Sequence, residues 1–188
     1  MKNTALIMID MQRGFIDPAS PLCIASAAAT VPKCAELIRR CHKDDIPVVY
    51  AVRHYRADGS DVEKTRYKIW AEGGRPLSEV CDERISDAFP EQFEVLEQDR
   101  VIVKPRFSAF FATELDLVLR RLGVETVILA GTTTPNCIRT TCYDALSLDY
   151  DVIVLSDCTS SVSDAVQRAN LEDMQRIGAK IITSAQLL

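Results

Sequence analysis

Six short runs of almost uninterrupted apolar residues, at 4–9, 47–53, 100–104, 125–130, 151–156 and 179–183, constrain this chain more than any other feature. Each has strand length, and a wholly apolar run such as that at 4–9 suits a strand buried on both faces. Between most of them lie patterns of helical spacing. Val31, Cys34, Ile38 and Cys41 recur on one helical face, and Leu115, Val118, Leu119 and Leu122 on another that Gly123 ends. Ile138, Cys142, Ala145 and Leu146 mark a third helix. Val162, Val166, Ala169 and Ile177 mark a fourth, ended by Gly178. Strands alternating with helices imply right-handed crossovers and a parallel sheet covered on both sides. The expected fold is α/β: a doubly wound, mainly parallel six-stranded sheet with helices on both faces.

At 188 residues the chain is expected to form one domain, 1–188, large enough to bury about 70% of its unfolded surface. A net charge of −5 gives no basic footprint, so nucleic acid and anionic membrane are not expected partners. No run approaches the ~18 apolar residues of a membrane span. The first strand begins almost at once, so no signal peptide is expected and the location reads as cytoplasmic. The seven cysteines are odd in number, and none shows CxxC spacing. That argues against a disulfide framework or a zinc knuckle and for reduced thiols packed as small hydrophobes.

Three reactive residues break these patterns. The run Ala5-Leu-Ile-Met-Ile ends abruptly in Asp10, and Arg100-Val-Ile-Val ends in Lys104, where Pro105 stops the strand. The run Val127-Ile-Leu-Ala leads through Gly131-Thr-Thr-Thr-Pro-Asn to Cys137, expected in the first turn of a helix. A thiol there meets unpaired backbone N–H groups and the positive end of a helix dipole, both of which favour thiolate. Alone, Asp10 and Lys104 read equally well as solvated loop charges, and Cys137 reads better as a buried structural thiol. Together they sit at one topological end of three parallel strands, where ligands bind in open α/β sheets.

The Asp10, Lys104 and Cys137 pattern, with Gly131-Thr-Thr-Thr-Pro-Asn-Cys137 and Tyr143-Asp-Ala-Leu after it, resembles the isochorismatase-like cysteine hydrolases. The resemblance runs from Ile7 to about Ile182. Arg53-His-Tyr-Arg-Ala-Asp-Gly-Ser-Asp61 and Lys104-Pro-Arg-Phe-Ser-Ala-Phe110 are similar to the amidase branch, which holds N-carbamoylsarcosine amidases and biuret hydrolases beside the nicotinamidases. It implies a Rossmann-like three-layer fold and hydrolysis of a C–N bond in a small carboxamide or ureido compound, through a thioester on Cys137. It also implies a cis peptide between Thr132 and Thr133. The Thr133 and Cys137 N–H groups would then hold the oxyanion, and a neighbouring subunit of a homo-oligomer, dimer or tetramer, would help complete the site.

In this scheme Asp10 accepts the thiol proton and later protonates the leaving amine, while Lys104 orients the carboxylate. A Cys137–His54 pair is the less well placed alternative. A metal-dependent, nicotinamidase-like amidase would need an Asp-x-His motif and a further histidine. Position 52 is Val and no histidine follows His54, so neither metal nor cofactor is expected. A thiol also argues against vinyl-ether chemistry. A non-catalytic binding protein of the same fold is the remaining alternative.

Phe15, His54, Trp70 and Phe107 are the expected substrate contacts, with core packing as the competing role for each aromatic. Arg53, Arg56 and Arg106 are candidate carboxylate ligands. Residues 54–99 break the alternation with many charges, Gly73-Gly74 and the sole tryptophan, and read as a partly helical lid or subunit contact.

Overall fold

The computed structural model describes residues 1–187. Its six strands are β1 (Thr4–Ile9), β2 (Val48–Val52), β3 (Arg100–Val103), β4 (Thr126–Thr132), β5 (Asp151–Ser160) and β6 (Lys180–Ile182). All pairs are parallel, in the order β3-β2-β1-β4-β5-β6. This is the expected doubly wound sheet, and its order reverses between β1 and β4. The helices are α1 (Arg13–Ile16), α2 (Ala27–Lys43), α3 (Tyr67–Glu72), α4 (Leu115–Arg121), α5 (Arg139–Ser147) and α6 (Asp164–Arg176). No helix among the described residues is long and apolar enough to cross a membrane.

Side chains alternate across a strand, so one apolar run supplies two layers. Ala5, Ile7 and Ile9 of β1 face a core closed by Leu115 and Leu119 of α4, Cys142 and Ala145 of α5, and Met174 of α6. Leu6 and Met8 face the other way, against Val31, Cys34, Ile38 and Cys41 of α2. The α2 stripe is therefore the one the spacing predicts. The cysteines are free thiols, five of them buried.

Two elements differ from expectation. In α6 the inward stripe is Val166, Gln167, Asn170, Leu171 and Met174, whereas Val162 and Ile177 are 61% and 41% exposed and Ala169 faces solvent. Two of these five are polar: the Gln167 amide donates to the Thr159 carbonyl and hydroxyl, and the Asn170 amide to the Val166 carbonyl. Apolar periodicity cannot register such a face. Strand β5 continues four residues past its apolar run, through a shift in register opposite Leu129 and Gly131. Gly131 has φ +115°, and a Cβ there would run into the Ile9 backbone, so only glycine lets β4 pass the end of β1 at this distance. His42 is mostly covered, with its Nε2 on Asp99 at 3.0 Å.

Residues 54–99 build a small core together with Phe15 of α1. Trp70 of α3 packs with Phe15, Tyr55, Val62 and Leu77. Its indole N–H donates to the Pro76 carbonyl at 2.9 Å.

Candidate active site

The switch point between β1 and β4 gathers the three reactive residues. The Asp10 N–H donates to the Ala51 carbonyl at 2.9 Å, and the Lys104 N–H to the Val52 carbonyl at 2.9 Å. Each residue is thereby anchored on β2, the strand that lies between β1 and β3. Asp10 takes φ +53°, a left-handed conformation that aspartate tolerates better than most residues. Cys137 lies in a single π-helical turn, Thr134–Ile138, that precedes α5, rather than in the first turn of an α-helix. Such turns recur at functional sites. Threonine hydroxyls pin this one: Thr134 donates to the Ser160 carbonyl at 2.9 Å, and Thr141 to the Cys137 carbonyl at 2.6 Å. The Thr132–Thr133 peptide is cis.

Lys104 Nζ lies 2.8 Å from Asp10 Oδ2 and 3.6 Å from Cys137 Sγ, and it also donates to the Arg106 carbonyl at 3.2 Å. Asp10 and Lys104 are each 1% exposed and Cys137 4%. Asp10 Oδ1 is buried without a hydrogen-bond partner. A free carboxylate oxygen beside a thiol is placed to take its proton. Burial pushes the Cys137 thiol above its ordinary range and the charge of Asp10 adds to this; Lys104 and Arg53 offset only part of it. Burial and the Asp10 charge thus work against the thiolate that a helix N-terminus favours.

A cavity of about 280 Å³ opens above the triad. Thr133 and Asn136 line it on the sheet side, and Phe15, Leu22 and Ile24 on the other. Arg66 and Ile69, from the start of α3, close it from the long excursion. Of the four expected substrate contacts, Phe15 alone lies on this wall. Trp70 is 1% exposed beneath it, held by its own core. Phe107 packs between two guanidiniums, those of Arg53 at 5.5 Å and Arg66 at 4.9 Å from its ring centroid. His54 Nδ1 is bound to Asp87 Oδ2 at 2.7 Å, away from the cavity, so no Cys137–His54 pair forms. Among the described residues no group of three or more histidine, cysteine, aspartate or glutamate side chains is placed to hold a metal.

Sequence reasoning missed the support behind the triad. Arg53, 1% exposed, donates through Nη1 to Glu63 Oε1, the Tyr55 hydroxyl and the Pro105 carbonyl. Burial, the largest single influence, would tend to discharge it; the charges of Asp10, Tyr55, Cys137 and Glu63 together outweigh this and keep the guanidinium protonated. Gln12, also 1% exposed, joins the loops: it accepts from the Arg53 N–H at 2.7 Å and donates to the Arg53 and Asp87 carbonyls. Arg56 and Arg106 are exposed, and Arg106 is engaged with the Asp61 carbonyl. Arg66 went unnoticed because its stretch, Glu63-Lys-Thr-Arg-Tyr-Lys68, reads as a solvated charge run.

Comparison with known proteins agrees with this fold. The chain is 35% identical over 184 residues to a probable inactive nicotinamidase of Arabidopsis thaliana, covering 97% of this chain and 93% of that one. It is 31% identical over 187 residues to a maleamate amidohydrolase of Pseudomonas putida, covering 97% and 84%. A crystal structure of an isochorismatase family protein from Desulfovibrio vulgaris superposes with a TM-score of 0.92 at 39% identity, covering 100% of this chain and 97% of that one. The isochorismatase domain model matches residues 4–186, and the chain belongs to the isochorismatase family.

Proposed function

We propose that this protein is an amidohydrolase that cleaves the C–N bond of a small carboxamide or ureido compound through a thioester on Cys137, releasing ammonia or an amine. One observation carries the reading: a thiol, a carboxylate with a free oxygen and an ammonium meet, within 2.8 and 3.6 Å of the shared Nζ, where Asp10 and Cys137 line a cavity. The similarity to a maleamate amidohydrolase supports the reaction class.

Asp10 takes the Cys137 proton as sulfur attacks the carbonyl carbon. The negative charge that develops on oxygen needs fixed donors, and the backbone N–H groups of Thr133 and Cys137 are the two we assign. Asp10, now protonated, gives its proton to the departing nitrogen, and the C–N bond breaks. Water enters, loses a proton to Asp10 and attacks the thioester; the carboxylic acid leaves and the thiol is restored. Lys104 holds the carboxylate in place through both halves. Residues 54–99, which carry Arg66 and Ile69 onto the cavity, are proposed to act as its cover, and a second copy of the chain as its completion.

A relative named as a probable inactive nicotinamidase keeps the non-catalytic binder as a rival. Ammonia release across primary amides, ureido acids and biuret separates the two. Turnover that Cys137→Ala abolishes supports the amidase; no turnover of any compound, with tight binding of one of them, supports the rival.

A further inference from the structure

The edge of the sheet formed by β3 is open. Lys104 turns its N–H inward to the Val52 carbonyl, and alternate residues of a parallel strand turn their N–H and C=O groups the same way. Ile102 therefore also bonds to β2, while Val101 and Val103 turn their backbone groups outward. Native sheets blunt such an edge with charge, proline or a covering segment, because it templates pairing with another chain. Here proline comes only at 105, after the strand has ended. The two residues with outward backbone groups are valines, each about half-exposed.

An apolar stripe of α4 lies beside this edge. Glu114, Leu117, Val118 and Arg121 are spaced three and four apart, so they share one helical face. That face and residues 99–102 line a groove of about 610 Å³. Leu117 is 72% exposed, and Leu122 beside the stripe is about half-exposed. The two ends of the stripe carry opposite charges, and both side chains are exposed. Among the described residues neither Glu114 nor Arg121 forms an ion pair, whereas Asp116 and Arg120 on the neighbouring face pair with each other.

A helix turned end for end presents this stripe in reverse. Glu114 and Arg121 stand equally far from its middle, which falls between Leu117 and Val118. The stripe of one copy therefore matches that of an antiparallel second copy, Glu114 to Arg121 and Arg121 to Glu114. The strand has the same property. Antiparallel pairing centred on Ile102 sets Val101 opposite Val103 of the second copy, and each such pair exchanges two N–H···O=C bonds. Charge, hydrogen bonds and apolar contact are thus complementary to themselves about one axis, which is what a two-fold dimer requires. A different partner would need no such symmetry.

We propose that the β3 edge and the α4 stripe form a two-fold interface between two copies of this chain, joining their six-stranded sheets edge to edge. None of the groove residues lines the Cys137 cavity, so this contact is separate from the one proposed to complete the active site.

Sedimentation velocity across micromolar concentrations reads the assembly for wild type, Leu117→Lys, Glu114→Arg and Arg121→Glu. All three positions are exposed, so the fold is expected to persist, and circular dichroism checks it. The wild type should be a dimer or a larger even-numbered assembly. Each variant should weaken the interface ~30-fold or more in Kd, because symmetry applies every substitution twice, and so halve the mass of the assembly. The charge reversals are the decisive arm. Glu114→Arg brings two arginines to each contact and Arg121→Glu two glutamates. An equimolar mixture of these two variants restores both opposite-charge contacts and should regain the wild-type mass as a mixed dimer. A monomeric wild type overturns the proposal and leaves this face to a different protein. An assembly whose mass neither reversal changes, or a mixture that stays at the mass of its components, overturns it as well.

Discussion

Glu63→Gln is the sharpest perturbation of the scaffold behind the site. It keeps the shape of the side chain and removes one charge. Arg53 is 1% exposed, and among the described residues its Nε and Nη2 lack partners and Glu63 is its one ion-pair partner. Breaking a buried pair from one side typically costs about 3–5 kcal/mol, because it strands a charge in a poorly solvating interior. The glutamine carbonyl still accepts from Nη1, which places the expectation at the low end, about 3 kcal/mol. For a chain of this length that lowers Tm by roughly 6–12 °C. Replacing both partners, as Arg53→Met with Glu63→Met, removes the stranded charge and should recover most of the loss. The pH dependence has a definite sign. Burial works to raise the Glu63 pKa, but the Arg53 charge and the Tyr55 hydrogen bond outweigh it and hold it below its ordinary value of 4.5. The Glu63 contribution is thus fully present above about pH 4.5 and is lost as pH falls through the lower folded value. Thermal melts by circular dichroism at pH 7 and at a series of acid pH values should show the gap between wild type and Glu63→Gln closing in acid. A variant that melts within 2 °C of wild type at pH 7, or a double variant no better than the single one, would refute the reasoning.

Other outcomes follow from the same geometry. Cys137→Ala and Asp10→Asn should each remove ~10³-fold or more of kcat/KM, and the double variant should be little worse than either, as catalytic residues acting as one unit behave; additive losses in steady-state ammonia release would separate their roles. Lys104→Met removes a cation that lowers the Cys137 pKa, so the pH midpoint of iodoacetamide labelling at Cys137, read by peptide mapping, should move upward; an unchanged midpoint would contradict the electrostatic assignment. Trp70→Ala should cost about 3–5 kcal/mol in chemical denaturation, as emptying a packed aromatic site does, and a full-strength fold would show that its small core is dispensable.

The parts of the fold that could be read from the sequence are those built from one rule applied without exception. Strand β1 is buried over its whole length, so no polar residue interrupts it and the charge of Asp10 stands out at its end. Cys137 follows the buried run of β4 in the same way, whereas Lys104 follows the edge strand β3, whose Val101 and Val103 are exposed, and is marked by the short β-branched run and Pro105 instead. Where burial is mixed, the signal fades. The inward face of α6 includes two amides, and the second half of β5 is serine, aspartate, cysteine and threonine, so neither follows an apolar pattern. The small core of residues 54–99 joins Phe15, Tyr55, Val62, Trp70 and Leu77, single residues too far apart in the chain to show a period. Trp70 could therefore be recognised as a residue needing a partner but not assigned one. Arg66 was hidden in a run of charges, and only the folded chain shows that it closes the cavity.

The chemical claim at the centre of this account is a covalent bond between Cys137 and the acyl group of the substrate. Acid quenching in the first turnovers with the best amide of the panel, followed by intact-mass and peptide analysis, reads that bond directly. The account predicts a mass increment equal to the acyl group, on the peptide containing Cys137, absent from Cys137→Ala and lost on incubation at neutral pH. Turnover by Cys137→Ala at the wild-type rate, or an acyl adduct on another of the seven cysteines with Cys137 unmodified, would contradict it.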